Sequence, residues 1–256
     1  MDCPDEPSRP RKRESTGAPV EGLAWEPAHG YSNHVAWDGE GVVKTFSADA
    51  FDRRRNEFAA LRSVQHVVPV PQVLPTADPA SIRMTFVPGI LGQEWVAQDG
   101  PDRNLRHTRL MQQCGIVLRG LHDLGSDAPV EGVPGEGPVL VHGDFAPYNL
   151  IVDAETGELQ AVIDWELAHR GSPVEDLAWL EWNMRIWYSP DDQVLEALYE
   201  AYGSLPAWRD RHQAMIDRCR PPLEASRRPS FPADVAERWA VHMERTYAFD
   251  EVVGRT

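Results

Sequence analysis

Lysine is nearly absent from this chain. Of its 25 basic residues 23 are arginine, and Lys12 and Lys44 are the only lysines. Arginine serves wherever a diffuse positive charge is enough, so Lys44, alone beyond the N-terminal segment, marks a place that needs a compact, single-point ammonium. Cysteine is scarce too. Cys3, Cys114 and Cys219 are an odd number without metal-ligand spacing, which argues against a disulfide framework or a zinc site and fits a reducing cytoplasm. No apolar run approaches the roughly 18 residues of a membrane-spanning helix, and Met1-Asp2-Cys3-Pro4-Asp5 lacks the basic and apolar regions of an export signal. No membrane partner is expected. Positive charge is also in deficit, with 40 acidic residues against 25 basic and a net charge of −15. That balance speaks against nucleic acid, whose phosphates call for a basic surface.

What the chain does have is core material. Its 256 residues are 42% hydrophobic and include nine Trp, six Tyr and seven Phe, enough to bury one large core or two that share an interface. The charge is uneven: residues 1–17 sum to 0, residues 18–89 to −2 and residues 90–256 to −13. Such an excess either keeps a soluble protein soluble or favours a cationic partner.

Punctuation divides the chain into three parts. Residues 1–19 mix Pro, Ser, Gly and charges of both signs without apolar periodicity, as a disordered tail does; neighbouring acids cancel its basic cluster Arg9 to Arg13. Residues 20–89 read as a β-rich lobe. Leu23-Ala24-Trp25, His34-Val35-Ala36-Trp37, Val42-Val43-Lys44-Thr45-Phe46 and Ser81 to Val87 are strand-like, Asp38-Gly39 is a hairpin signal, and residues 48–64 form a helix with Glu57 beside its apolar face. Residues 90–256 are mostly helical, over 102–124, 174–188, 191–202, 206–219 and 233–248, with a buried strand at Val139-Leu140-Val141 and a hairpin around Glu155-Thr156-Gly157.

The chemistry concentrates in Val141-His142-Gly143-Asp144-Phe145-Ala146-Pro147-Tyr148-Asn149. Asp144 and Asn149 have the five-residue spacing of a kinase catalytic loop, where an aspartate receives the hydroxyl proton and an asparagine holds magnesium. If Asp153 pairs with Glu158 across the hairpin, Asn149 faces about Val162, and Asp164 converges with Asn149 at the open end. One carboxylate and one amide oxygen are hard ligands that suit Mg²⁺ and leave places for phosphate oxygens. In the N-terminal lobe, Gly30-Tyr31-Ser32-Asn33 offers small residues whose N–H groups can approach a phosphate, and Lys44 on a strand can reach phosphates with Glu57 orienting it.

These motifs resemble the aminoglycoside phosphotransferase and choline kinase-like family. The resemblance spans about residues 21–202 and rests on His142-Gly143-Asp144-x4-Asn149, Ile163-Asp164-Trp165-Glu166 and Gly171-Ser172-Pro173-x2-Asp176-Leu177-Ala178. It implies an α+β, bilobal protein kinase-like fold and ATP-dependent phosphorylation of a small molecule's hydroxyl with Mg²⁺. Asp144 would be the catalytic base, Asn149 and Asp164 the magnesium ligands, Lys44 with Glu57 the phosphate clamp, and Ser32 part of the phosphate loop. Thr85 and Val87 would contact adenine through their backbone, and His142 and Asp176 would support the catalytic loop. Ser172 departs from the family's frequent Asp, with little consequence expected while Asp176 remains.

The acceptor is the open question at this stage. The family forms its acceptor site in the C-terminal lobe, and the −13 there favours an aminoglycoside-like cation over a choline-type amine, an amino alcohol, a sugar or a neutral antibiotic. Glu166 and Glu181 are either ligands for substrate ammonium groups or solvated, and Trp179, Trp182 and Trp187 are either core or a stacking cage. A metal-dependent phosphohydrolase built on His142, Asp144 and Asp164 would have no use for Lys44 and Glu57. A nucleotide-binding protein without catalysis would have no need of Asp144, Asn149 and Asp164 together.

Overall fold

The computed structural model describes residues 33–124, 132–228 and 231–251. The tail 1–19, the strand expected at 23–25 and the turn through Ser32 lie outside the described residues.

The sequence first builds an antiparallel sheet of β1 (Asn33–Trp37), β2 (Gly41–Phe46), β3 (Val73–Leu74) and β4 (Ser81–Thr85), in the order β1-β2-β4-β3. Alternation in β2 turns Lys44 and Phe46 to one buried face, and α1 (Phe51–Val64) buries Glu57, Ala60, Leu61 and Val64. The β1–β2 turn lies one residue later than Asp38-Gly39 suggests. Asp38 Oδ1 accepts the N–H groups of Glu40 at 2.9 Å and Gly41 at 2.8 Å, which leaves Gly39 and Glu40 as the turn's centre, with Gly39 at φ +100°.

Two short strands too brief to show periodicity tie the next segment down. β5 (Ile90–Leu91) joins a second sheet with β7 (Leu150–Val152) and β8 (Leu159–Val162), and β6 (Val139–Val141) pairs with β9 (His169–Gly171). Gly89 leads into this seam at φ +144°, and a Cβ there would lie 2.4 Å from the Val152 carbonyl oxygen. Only glycine fits. The helices are α2 (Gly92–Val96), α3 (Arg103–Asp123), α4 (Pro173–Trp187), α5 (Asp192–Tyr202), α6 (Trp208–Ser226) and α7 (Ala233–Tyr247). Ser172 caps α4 through a reciprocal pair with Glu175, so the position where the family often has Asp does helix-capping work here.

One core runs through both halves, from Phe46, Leu61 and Ile82 to Leu110, Phe145, Leu150, Trp165 and Leu177. A second lies among α4, α6 and α7, where Trp179, Trp182, Met215, Cys219 and Met243 meet. α6 runs past the 219 boundary that Pro221 and Pro222 suggest, because Leu223 and Ser226 still have a core to pack on. The two prolines cannot donate to the carbonyls of Asp217 and Arg218 four residues earlier, so the helix lacks those two bonds.

Candidate active site

Lys44 is 6% exposed. Its ammonium lies 2.6 Å from Glu57 Oε2 and 2.6 Å from Asp164 Oδ1, with Glu166 Oε2 at 3.5 Å. One buried cation thereby joins β2, α1 and the segment after β8. Burial disfavours the charged ammonium, but Glu57, Asp164 and Glu166 outweigh it and hold the Lys44 pKa above its ordinary value. Burial pushes Glu57 up, to about 7, and the neighbouring Asp164 and Glu166 push the same way against Lys44. A second cation, such as a divalent ion, would relieve this crowding of acids. Glu57, Asp164 and Glu166 offer oxygens within 4.8 Å of one another.

Asp164 and Asn149 come together by strand pairing. Asp153 N–H donates to Glu158 O at 2.9 Å and Val152 faces Leu159, but an irregularity at Gln160 shifts the rest so that Ile151 faces Ala161 and Leu150 faces Val162. Asn149 therefore faces Ile163, whose N–H donates to Asn149 O at 2.9 Å, instead of Val162. The bulge adds one residue that no alternation pattern displays. Asp164 itself is left-handed, φ 65° and ψ 62°. Such a backbone costs about 1 kcal/mol or more for a residue other than glycine and persists where its surroundings impose it. Asn149 Nδ2 donates to Asp144 O at 2.9 Å and to Asp144 Oδ2 at 3.2 Å, which leaves its amide oxygen out of those bonds. The carboxylate of Asp164 and that oxygen are the hard donors magnesium takes, so the residues fit the ion.

The catalytic-loop backbone hangs on Asp176. This fully buried carboxylate accepts the N–H of His142 at 2.8 Å and of Gly143 at 3.0 Å, and His122 Nε2 at 3.2 Å. Burial would raise its pKa, but His122, His142 and these donors reverse the sign and lower it. His122 Nδ1 meets Tyr202 Oη at 3.0 Å, so this histidine is a strut at the end of α3. His142 is one too. Asp144 N–H donates to its Nδ1 at 3.2 Å, which leaves Nε2–H for Ile163 O at 3.0 Å. Both ring nitrogens are engaged by backbone, and no proton shuttle remains. Gly143 sits at φ +80°, and a Cβ there would lie 2.3 Å from Leu167 O.

Asp144 Oδ1 accepts Tyr148 Oη–H at 2.8 Å, Trp179 Nε1–H at 2.9 Å and Arg218 Nη2–H at 3.3 Å. Burial and the Asp144 charge push the Tyr148 hydroxyl well up, keeping it a donor. None of these three partners was assigned to Asp144 by sequence pattern. Tyr148 lies within the motif and Trp179 three residues after Asp176, so local signals existed; Arg218, 74 residues away, has none. Trp179 is both core and site, stacked on Trp182 at 4.5 Å, while Trp187 is exposed. Glu181 is neither a substrate ligand nor solvated. It is fully buried, with Arg185 Nη2 and Arg211 Nη1 each at 2.6 Å and the Tyr199 hydroxyl donating to it. Glu166 faces Lys44 and Arg53.

On the expected adenine edge, Thr85 N–H is committed to Gln72 O at 2.9 Å. Val87 follows β4, and its backbone makes no hydrogen bond to other described backbone.

With this geometry in hand, comparison with known proteins is specific. The family model described as "Phosphotransferase enzyme family" matches residues 131–214. The fold resembles the GDP complex of aminoglycoside 2'-phosphotransferase-IIIa, with a TM-score of 0.68 at 16% identity over 89% of this chain and 94% of that one. It also resembles a choline/ethanolamine kinase family protein from Mesorhizobium loti, with a TM-score of 0.61 at 17% identity over 89% of this chain and 88% of that one. A 40-residue stretch, 16% of this chain, is 52% identical to mouse (Mus musculus) acyl-CoA dehydrogenase family member 10, but spans only 4% of that protein. The architecture is the expected bilobal α+β, kinase-like fold. Residues 131–214 carry the signature of the phosphotransferase enzyme family, on a chain that resembles the aminoglycoside phosphotransferases and choline kinase-like proteins.

Proposed function

We propose that this chain transfers the γ-phosphoryl group of ATP to a hydroxyl of a small molecule, in the cleft between residues 20–89 and residues 90–256. The observation that supports this most strongly is the buried Lys44 ammonium held 2.6 Å from both Glu57 and Asp164. A hydrolase has no use for that clamp. Asn149 and Asp164 would hold Mg²⁺, which when bound neutralises charge on the phosphates.

The chain's own residues do the rest. Lys44 draws the α- and β-phosphates into the cleft, with Glu57 fixing its position. The backbone of Thr85 and Val87 meets adenine, and Ser32 contributes to phosphate binding, as in the family the chain resembles. Asp144 Oδ1 already has three donors while Oδ2 has one, Asn149 Nδ2 at 3.2 Å, so the acceptor hydroxyl approaches Oδ2. An acceptor oxygen then forms a bond to the γ-phosphorus as the bridging oxygen of ADP leaves, and the hydroxyl proton passes to Asp144 and on to solvent. Tyr148 and Trp179 fix the carboxylate so that it needs no reorganisation. The acceptor is an antibiotic or a hydroxylated metabolite, in keeping with the two kinds of structural neighbour.

The test is titration with MgAMP-PNP. The wild-type chain binds it and Lys44→Ala and Asp164→Ala bind it at least ten times more weakly; equal affinity in all three would refute the assignment.

A further inference from the structure

The side chains that touch Asp144 from α4 and α6 include no acid. Arg218 is on α6, at the point where Pro221 and Pro222 remove two helical hydrogen bonds, and its guanidinium carbon lies 4.9 Å from the Trp179 ring centroid, within cation–π range. The indole it covers is itself stacked on Trp182, which is stacked on Trp239. This aromatic stack gives the guanidinium an indole face to rest over. Among the described residues its hydrogen bonding is the single 3.3 Å contact from Nη2 to Asp144 Oδ1, and its Nε is shielded from water without a hydrogen-bond partner.

Arg218 is not required to hold Asp144, because Tyr148 and Trp179 already donate to the same oxygen at shorter distances. Four of the five guanidinium N–H groups form no hydrogen bond to a described residue. The side chain is 34% exposed, so the fork is within reach of a molecule in the cleft. Meanwhile the acids behind the lobe's −13 are partly turned away from it: Asp176 and Glu181 are fully buried in their own networks and Glu175 pairs with His169.

Resting on the phosphotransferase reading, we propose that Arg218 determines acceptor specificity by binding an anionic group, a carboxylate or a phosphate, borne close to the hydroxyl that Asp144 receives. The planar fork matches two oxygens of such a group in a way no neutral or ammonium-bearing acceptor can. The partner is then an acidic hydroxy compound, and the lobe's overall negative charge is not its guide.

The test uses three molecules of similar size: glycerate, glycerol and 3-amino-1,2-propanediol, titrated calorimetrically into the full chain saturated with MgAMP-PNP. Glycerate should bind at least ten times more tightly than the other two, and less tightly as salt rises. Arg218→Gln should abolish that preference, bringing glycerate to the affinity of glycerol, and Arg218→Lys should keep part of it. Glycerate binding no better than glycerol, a preference for the amino diol, or an undiminished preference in Arg218→Gln overturns the proposal. If Arg218→Gln does not fold, a full preference in Arg218→Lys overturns it and a reduced one supports it. Should AMP-PNP fail to bind the wild type while glycerate still shows the Arg218-dependent preference, the kinase reading falls and the anion site stands.

Discussion

Replacing Asp176 by Asn isolates what holds the catalytic loop. The carboxylate accepts three donors, the N–H groups of His142 and Gly143 and the Nε2 of His122, and all are buried. Asn supplies one accepting oxygen and one NH₂. In its better orientation the oxygen replaces Oδ2 and keeps two bonds, and the NH₂ then faces the Gly143 N–H, donor against donor. One buried unmade bond costs about 1–3 kcal/mol, and the loss of charge from the remaining two adds about 1 kcal/mol. Asp176→Asn should therefore lose about 2–4 kcal/mol in urea unfolding, or very roughly 4–16 °C in Tm. Asp123→Asn, at the exposed end of the Arg119 pair, should change stability by less than about 0.5 kcal/mol. The pH profile carries a second signature. Because the folded pKa of Asp176 is depressed, its contribution is present above the unfolded value near 3.8 and is lost as pH falls through the folded value. The variant should show a flatter loss of stability below about pH 4 than the wild type. A variant within about 1 kcal/mol of wild type at pH 7 would refute the reasoning, since no rearrangement of an amide restores all three bonds.

Three further outcomes follow from the same geometry. Gly143→Ala places a Cβ against Leu167 O with φ at +80°, so it should cost about 2 kcal/mol or more and displace Asp144, seen as a fall in turnover beyond the fall in Tm. Lys44→Arg puts a longer, forked cation where one nitrogen sits 2.6 Å from two carboxylates; MgAMP-PNP affinity should drop at least tenfold by titration, with about 1–3 kcal/mol lost to overpacking. His169 is raised by its bond to Glu175, and Glu175 is lowered by His169. The pair's contribution is full between about pH 4.5 and 6.5 and declines as pH rises through the folded value of His169. With a third or more of each side chain exposed, it amounts to about 0.5 kcal/mol, so the stability gap between wild type and Glu175→Gln should narrow from pH 6 to pH 9 in urea titrations.

The residues legible in the sequence were those whose spacing or rarity carries information. Lys44 stood out because arginine occupies nearly every other basic position, and Asp144, Asn149 and Asp164 because a loop and a hairpin fix their separation. Glu57 lay beside the apolar face of the helix that follows the lysine strand, where a kinase-like arrangement pairs it with Lys44. What stayed hidden depends on contacts between distant segments. Arg218 reaches Asp144 only because α6 packs on α4, and nothing near it in the chain announces this. Glu181 looked available because it lies near the catalytic loop, yet Arg211, 30 residues later, closes over it. β3, β5 and β9 have two or three residues each, too few for alternation to register. Pro221 and Pro222 marked a helix end that packing of Leu223 and Ser226 overrides.

The central claim is phosphoryl transfer to a small-molecule hydroxyl. It is tested most directly by following the label of γ-³²P-ATP with Mg²⁺ and a set of hydroxy acids, amino alcohols, aminoglycosides and macrolides, using wild type, Asp144→Asn and Asp164→Asn. The account predicts label in an organic phosphate ester with the wild type, transfer slowed by orders of magnitude in both variants, and near-normal melting in all three. Label appearing only as inorganic phosphate, or transfer by Asp164→Asn at the wild-type rate, would contradict it.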